Sequence, residues 1–143
     1  ELRDVVTTLG AATVVAPDAF VDEGPFDVVL ELVGGPNLAG DLTALAVGGR
    51  ICVIGVGAGA RAEVNLSALM AKRARLSGST LRSRPPEDKA SAARLVEAQV
   101  LPLLEAGRVR VPVAATFPLE DAPGAYERFA AGAKLGKVVL VVD

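Results

Sequence analysis

The chain has 143 residues, of which 51% are hydrophobic and 22% charged, and its net charge at pH 7 is −2. This composition supports one or one and a half globular domains with a sizeable core, and it excludes a disordered chain. Lysine and arginine are scattered along the sequence, which argues against nucleic acid as a partner, because phosphate binding needs a concentrated basic face.

The chain contains no histidine and one cysteine, Cys52. Because histidine is the commonest metal ligand and general base, the sequence predicts no metal site and no catalytic residue. A single cysteine excludes a disulfide within the chain and is compatible with a reducing compartment such as the cytoplasm. No apolar run reaches about 18 residues, so no membrane span is predicted.

The chain begins with a helical pattern and continues with strands. Residues 2–9 have the apolar spacing of a helix that Gly10 ends, and because the chain opens inside this helix we expect a piece of a longer protein. Residues 13–16 are a short strand candidate. Residues 26–33 predict a strand buried on both faces, since its apolar character is continuous.

The rest of the chain alternates between helices and strands, which predicts an α/β fold with a parallel sheet. Pro102 interrupts the longest helical pattern, so a break near 99–101 is expected. This helix is predicted to turn Ala93, Val96, Val100, Leu103 and Leu104 inward. The elements are a helix at 36–46, a strand at 50–55, a helix at 65–73 with Asn65 as N-cap, a strand at 75–81, a helix at 87–106, an extended segment at 111–117, a helix at 119–132 and a strand at 138–142.

Glycine follows three of the predicted strands, at or near Gly34, Gly55 and Gly78. Ligands of open α/β sheets bind at the carboxyl ends of strands, and a glycine there lets a ligand approach the backbone. The pattern is typical of a nucleotide-binding or cofactor-binding sheet. The alternative interpretation, that these glycines only close the strands, remains equally open at this point.

Three further features have both a functional and a plain interpretation. Arg82 and Arg84 follow the third strand beside hydroxyl residues, which suits either a phosphate contact or an exposed loop. Lys137 is either a ligand contact or a cation at the start of a strand. Glu31 needs a hydrogen-bond donor or must face the cleft, because a buried lone carboxylate is costly. The glycine-rich loop at 55–59 is no dinucleotide fingerprint, since its last position is Ala60 and no well-spaced acidic residue follows.

Several motifs, in order along nearly the whole chain, resemble the medium-chain dehydrogenase/reductase superfamily. The segment 78–84, followed by Glu87 and Lys89, is most similar to its zinc-independent quinone oxidoreductase branch. The motifs that carry the resemblance are at 9–11, 26–29 with 33–35, 48–50 with 53–55, 76–84, 117–122 and 136–140.

The resemblance implies a fold as well as an activity. The expected fold is α/β, with a partial Rossmann-like parallel sheet made of the later strands of a doubly wound fold. Residues 1–110 would be the C-terminal part of the NAD(P)-binding Rossmann domain, and 111–143 the returning tail of the GroES-like substrate domain. The strand candidate at 13–16 would lack its usual neighbour, so we expect it to be displaced, disordered or paired with another chain. An exposed sheet edge beside the strand at 26–33 predicts a homodimer.

The resemblance further implies an NADPH-dependent reductase of quinones or α,β-unsaturated carbonyls that transfers hydride without zinc, with NADH as the alternative cofactor. The glycine turn that grips the pyrophosphate and the residues that read the 2′-phosphate do not occur in this sequence, so the chain alone is expected to be inactive. The cofactor contacts that the resemblance implies are Val33, Gly34, Gly55, Val56, Gly57, Ser79, Thr80, Leu81, Arg82 and Lys137.

Two other functions remain open from the sequence. Residues 27–29 followed by 48–50 also resemble the later strands of a methyltransferase, although the antiparallel last strands of that fold are not evident. The lack of histidine and of a convincing acid–base pair leaves a non-catalytic binding or assembly domain as the second alternative.

Overall fold

The computed structural model describes residues 2–132 and 134–142 of the chain. The chain divides into two compact units, one formed by residues 13–85 and the other by residues up to 12 together with those from 86 onward. None of the helices in the described residues has the length and apolar character needed to cross a bilayer. The expected domain boundary at residue 110 remains a prediction.

The first helix, α1, spans Leu2–Thr8, as the apolar spacing predicts. Gly10 follows with φ +107°, a left-handed backbone conformation that glycine adopts without strain. Residues 13–16, all of them described, lie outside every strand, so their interpretation as a strand is wrong. The physical reason is that an extended run forms a strand only when a neighbour accepts its backbone hydrogen bonds, and this run has none among the described strands.

Residues 13–85 fold around a three-stranded parallel sheet with the strand order β1–β2–β3. A 3₁₀ turn and a helix, α2, connect the first two strands, and a second helix, α3, connects the last two. The predicted order of elements is confirmed, although β2 begins five residues before the predicted start. The bounds are β1 Phe26–Glu31, the turn Gly35–Asn37, α2 Leu38–Ala44, β2 Leu45–Val53, α3 Leu66–Ala71 and β3 Arg75–Gly78.

The core of this unit lies between the sheet and the two helices. Leu42 of α2 packs with Leu45 and Ile51 of β2, and the latter two are fully buried. Pairing aligns Val29 with Ile51, so both face the helices. Alternation along β1 directs Val28 and Leu30 to the opposite face, where both are exposed. The predicted burial of this strand on both faces is therefore wrong, because helices of this unit cover only one face.

The cap of α3 has the geometry that the sequence predicts. The side chain of Asn65 accepts a hydrogen bond from the backbone N–H of Ala68 at 3.0 Å. This bond satisfies one of the amides that the first turn of a helix leaves without a partner. The helix therefore starts at Leu66, and β3 follows after a short turn.

The second unit contains the long helical region and the last two strands. The predicted break is confirmed, since α4 spans Pro86–Gln99 and α5 spans Leu101–Glu105, with Pro102 in the first turn of α5. Leu103 and Leu104 are half-buried. The other three residues of the predicted inward face, Ala93, Val96 and Val100, are exposed, because α4 packs chiefly against α5 and not on a sheet.

The chain closes with a second βαβ unit. Strands β4 (Val113–Pro118) and β5 (Lys137–Val141) are parallel, and helix α6 (Ala122–Ala130) connects them and packs against both. The side chain of Asp121 caps α6 by accepting a hydrogen bond from the backbone N–H of Gly124 at 3.3 Å. Both sheets are parallel and alternate with helices, which confirms the predicted α/β class.

Candidate functional site

The carboxyl ends of β2 and β3 form one wall of an open cavity of about 370 Å³. The size falls within the range of small-molecule sites, at its lower end. Its lining is mostly apolar or glycine, with two hydroxyl side chains at the end of β3. The lining residues are Val53, Ile54, Gly55, Val56, Gly78, Ser79 and Thr80.

A second cavity, of about 230 Å³, lies at the end of β1. It shares Val53 and Val56 with the first cavity, so the two occupy neighbouring positions along the same sheet edge. Among the residues that the structure describes, no charged side chain lines either cavity. The remaining residues around the second cavity are Gly34, Gly35, Leu38, Gly59, Ala60 and Ala62.

The loops that follow β1 and β2 are tied together by backbone hydrogen bonds. The carbonyl oxygen of Glu31 accepts from the N–H groups of Ile54 (2.9 Å) and Gly55 (3.2 Å). Farther along, Ala58 N–H donates to the carbonyl of Val33, and Gly35 N–H donates to that of Gly59. The two loops therefore continue the pairing of the strands beyond their formal ends, which satisfies the backbone groups at this sheet edge.

The glycines at this edge serve two different purposes. A Cβ on Gly55 would overlap the carbonyl oxygen of Leu32, and one on Gly34 would lie 2.5 Å from the carbonyl oxygen of Gly59. Glycine is thus required at both positions by the close approach of the neighbouring loop. A Cβ on Gly57 would meet nothing within 4 Å, so only Gly57 opens free space at the edge.

Glu31 ends β1 with only 4% of its surface exposed, and its buried side chain turns toward the backbone of the following loop. Its Oε1 accepts hydrogen bonds from the backbone N–H groups of Val33 and Gly34, the latter at 2.6 Å, and its Oε2 accepts from Asn37 Nδ2 at 3.2 Å. Burial pushes the pKa of Glu31 upward, but the donors at Gly34, Val33, Asn37 and Asp41 outweigh it and hold the pKa below its ordinary value.

Asp41 of α2 contacts this carboxylate from the other side, and 2% of its surface is exposed. Its Oδ2 finds no donor among the described residues. Burial, the hydrogen bond to Glu31 and the charge of Glu31 raise the pKa of Asp41 to about 7. Asp41 therefore keeps its proton to a higher pH than an ordinary aspartate, and in that form it is suited to donate to the Glu31 carboxylate.

The sequence reasoning anticipated the need of Glu31 for donors but missed Asp41. A signal was present, because Asp41 lies three residues after Leu38 and next to Leu42, on the apolar stripe of α2. An acidic residue on such a stripe is buried and needs a partner. Among the residues that the structure describes, no three histidine, cysteine or acidic side chains are grouped to hold a metal ion.

Hydrogen bonds within the cluster hold some of the hydroxyl and basic residues that follow β3. Arg84 donates through Nε to the carbonyl of Thr80 at 2.9 Å and through Nη2 to Ser79 Oγ at 2.8 Å. Arg82 is exposed beside them. The guanidinium of Arg84 thus holds the loop and is already engaged, whereas Arg82 is exposed to solvent.

The structure places five of the ten predicted contacts in the lining of the two cavities. Gly34, Gly55, Val56, Ser79 and Thr80 line the two cavities. Lys137 belongs to the other unit, where it starts β5 and its backbone N–H donates to the carbonyl of Pro112. The predicted contacts that flank the cavities in sequence without lining them are Val33, Gly57, Leu81 and Arg82.

The chain is similar to several oxidoreductases. Quinone oxidoreductase of Mus musculus is 34% identical over 117 residues, which cover 81% of this chain and 34% of that protein. A thermostable alcohol dehydrogenase of Pyrobaculum aerophilum, with bound cobalt and zinc, matches with a TM-score of 0.79 and 28% identity, over 99% of this chain and 40% of that one. E. coli K-12 YHDH with bound NADPH shares the fold, with a TM-score of 0.71 and 24% identity over 99% of this chain and 44% of that one.

The chain spans about a third of the length of the curated relatives that it matches. The model of the family described as zinc-binding dehydrogenase matches residues 9–140, which is nearly the whole sequence. The parallel sheets and the motifs along the chain agree with that match, and they confirm the resemblance to the medium-chain dehydrogenases/reductases. The chain therefore belongs to the zinc-binding dehydrogenase family.

Proposed function

We propose that this chain forms the nicotinamide side of the cofactor site of an oxidoreductase that reduces a quinone or an α,β-unsaturated carbonyl. The observation that carries the proposal is the cavity at the carboxyl ends of β2 and β3, in a chain of this family. Ligands of such sheets bind at that edge. The similarity to quinone oxidoreductase supports the choice of acceptor.

The residues around the cavity fit a flat, largely apolar ring better than a phosphate. Val53, Ile54 and Val56 supply an apolar wall, and the hydroxyl groups of Ser79 and Thr80 are suited to hydrogen-bond an amide. When bound, the nicotinamide supplies a hydride, which with one proton from solvent converts a quinone to a hydroquinone. The chain's own groups orient the ring and exclude water from one side of it.

The ten predicted cofactor contacts carry over into this proposal with different roles. The loop residues Val33, Gly34, Gly55, Val56 and Gly57 contact the ring through backbone and small side chains. Ser79, Thr80 and Leu81 contact the other side of the ring. Arg82 and Lys137 are proposed as the cations that bind an acidic group of the cofactor. NADPH is the proposed cofactor, NADH is the alternative, and the proposed hydride transfer needs no metal.

Three further parts of the hypothesis extend beyond the site. Residues 111–143 are proposed to belong to the substrate domain of the complete enzyme. The unpaired edge of β1 is proposed to make the protein a homodimer. A cytoplasmic location stays a prediction that rests on the single cysteine, Cys52.

Calorimetric titration with NADPH and NADH tests the proposal, on this chain and on the complete gene product. We expect binding by the complete product and weak or no binding by the chain alone. The variant Val56→Trp fills the cavity and should raise the Kd for NADPH at least about tenfold, whereas Val47→Trp, an exposed residue at the other end of β2, should not.

Other outcomes separate the alternatives. Binding of S-adenosylmethionine in place of a nicotinamide cofactor would indicate a methyltransferase, and binding of neither would leave a non-catalytic domain. Equal NADPH affinity in Val56→Trp and the unmodified protein would contradict the position of the site. Loss of quinone reduction by the complete product after dialysis against a chelator would contradict hydride transfer without metal.

A further inference from the structure

The end of β1 carries a buried charge where the fold itself favours an apolar residue. Glu31 follows Val29 on the helix-covered face of the sheet, and its pairing partner on β2 is Val53, which packs against the core. An apolar side chain at position 31 would cost nothing in desolvation, whereas a buried carboxylate does. The carboxylate must therefore supply something that an apolar side chain lacks.

The carboxylate supplies a hydrogen-bond acceptor for the backbone N–H groups of the turn that follows β1. Gly34 has φ +112° and ψ −141°, a conformation outside the range of L-residues, and it is buried. The N–H groups of Val33 and Gly34 both point at Glu31 Oε1. Without this oxygen, two adjacent amides would lose their acceptor where the loop turns from β1 toward α2.

The carboxylate is itself held from two directions. Asn37 donates to Oε2 from the turn before α2, and Asp41 contacts Glu31 from within α2. The backbone carbonyl of Glu31 accepts from Ile54 and Gly55 of the neighbouring loop. One residue thus joins the loop after β1, the loop after β2 and the first turns of α2.

We propose that Glu31 is a positioning residue, which sets the backbone of Val33 and Gly34 at the geometry needed to contact the nicotinamide cofactor, with Asp41 supporting its carboxylate from α2. The inference rests on the proposed function, because it assumes that this sheet edge receives the cofactor. Glu31 itself does not touch the cofactor, since its side chain is buried beneath the loop that it holds.

The variants Glu31→Ala and Glu31→Gln test this role in whichever form of the protein binds NADPH. Glu31→Ala removes the acceptor and should raise the Kd for NADPH at least about tenfold, because two amides lose a charged acceptor. Glu31→Gln keeps a side-chain oxygen at the same distance and should recover most of the affinity. The measurement is calorimetric titration well below the melting temperature of each variant.

Hydrogen exchange supplies a readout that does not depend on the cofactor. In Glu31→Ala the amides of Val33 and Gly34 should exchange faster, while Ile54, which donates to the backbone carbonyl of residue 31, should stay protected. Leu42→Ala is the matched control, because it opens the core beneath the same helix without touching the carboxylate. It should lower the melting temperature and leave the Kd within about twofold of wild type.

The outcomes separate the inference from the function on which it rests. If Glu31→Ala binds NADPH as tightly as wild type, or if Leu42→Ala loses as much affinity, the positioning role is overturned and the proposed function stands. If wild type binds neither NADPH nor NADH in any form, the proposed function is overturned, and the inference with it. Weakened binding in Glu31→Ala with recovery in Glu31→Gln supports both.

Discussion

Asp41 and Glu31 illustrate how two acids behave when burial brings them together. Each alone would be costly to bury as an anion, and side by side they repel each other. The backbone donors at Val33 and Gly34 fix the negative charge on Glu31. The proton therefore stays on Asp41, whose pKa burial and Glu31 raise to about 7.

This raised pKa makes the stability of the fold depend on pH. In the unfolded chain Asp41 loses its proton near its ordinary pKa of 3.8, while in the folded chain it keeps the proton up to about pH 7. Between these values the folded state binds more protons, so the free energy of unfolding falls as pH rises, by at most about 1.4 kcal/mol per unit. Asp41→Asn cannot titrate and should flatten this slope, which urea unfolding at several pH values measures.

The variant should also be more stable than wild type at about pH 8, because its amide donates to Glu31 when Asp41 would be charged. Asp88→Asn, on the exposed face of α4, is the control for the loss of one negative charge. A slope in Asp41→Asn as steep as that of wild type would contradict the proton assignment.

At the scale of single elements, the paired loops after β1 and β2 explain why glycine occurs where it does. Gly55 faces the backbone of Leu32, and no side chain fits between them. Since the obstacle is backbone and not a flexible side chain, the loops would have to separate to admit one. Loop–loop packing thus requires glycine at positions 34 and 55, whereas a Cβ on Gly57 in the same loop would meet open space.

Gly55→Ala should therefore lower the free energy of unfolding by about 2 kcal/mol or more. Gly57→Ala, two residues away in the same loop, should be neutral or slightly stabilising, since it reduces the entropy of the unfolded chain without meeting a neighbour. Chemical denaturation of both variants measures the contrast. Equal losses would indicate that the loops are farther apart in solution.

The sequence predicted most elements because their local signals agree with the final packing. Asn65 caps α3, Pro102 breaks the long helix, and glycine lies at or just after the end of each strand of the first sheet. Residues 13–16 were predicted as a strand that lacks its usual neighbour, and in the structure they belong to no strand among the described residues. Long-range pairing decides such a segment, and a single sequence does not contain that information directly.

The site was predicted less completely than the fold, and the reason is again distance along the chain. The glycines that end the strands mark the sheet edge at which the two cavities lie. The contact between Glu31 and Asp41, however, depends on how α2 lies on the sheet, which spacing alone does not give. Gly35 and Ala62, which line the second cavity, were missed for the same reason.

At the scale of the whole molecule, the first sheet has one covered and one open face, and among the described strands β1 pairs with β2 on one side only. Val28 and Leu30 of β1 are exposed, although apolar side chains of this kind are typical of a buried strand. Unpaired edge strands with apolar side chains tend to pair with another chain. The proposed homodimer follows from this edge.

Leu30→Lys should shift the chain from dimer to monomer in size-exclusion chromatography with light scattering, because a charge on an edge strand opposes pairing. Leu95→Lys on α4 is a matched control, since Leu30 and Leu95 are each 56% exposed, and it should leave the dimer intact. A wild-type chain that is monomeric at every concentration would contradict the prediction.

The double hold on Glu31 has a mechanical consequence for ligand entry. Its backbone carbonyl accepts hydrogen bonds from the loop after β2, and its carboxylate accepts them from the loop after β1. We therefore expect the two loops to move together and not independently. On the other side of the groove, the loop after β3 is held by Arg84, an exposed side chain. Its hydrogen bonds to two acceptors can break without the unfolding of a helix or strand. A ligand that enters this groove would thus displace the loop after β3, while the loops after β1 and β2 keep their positions.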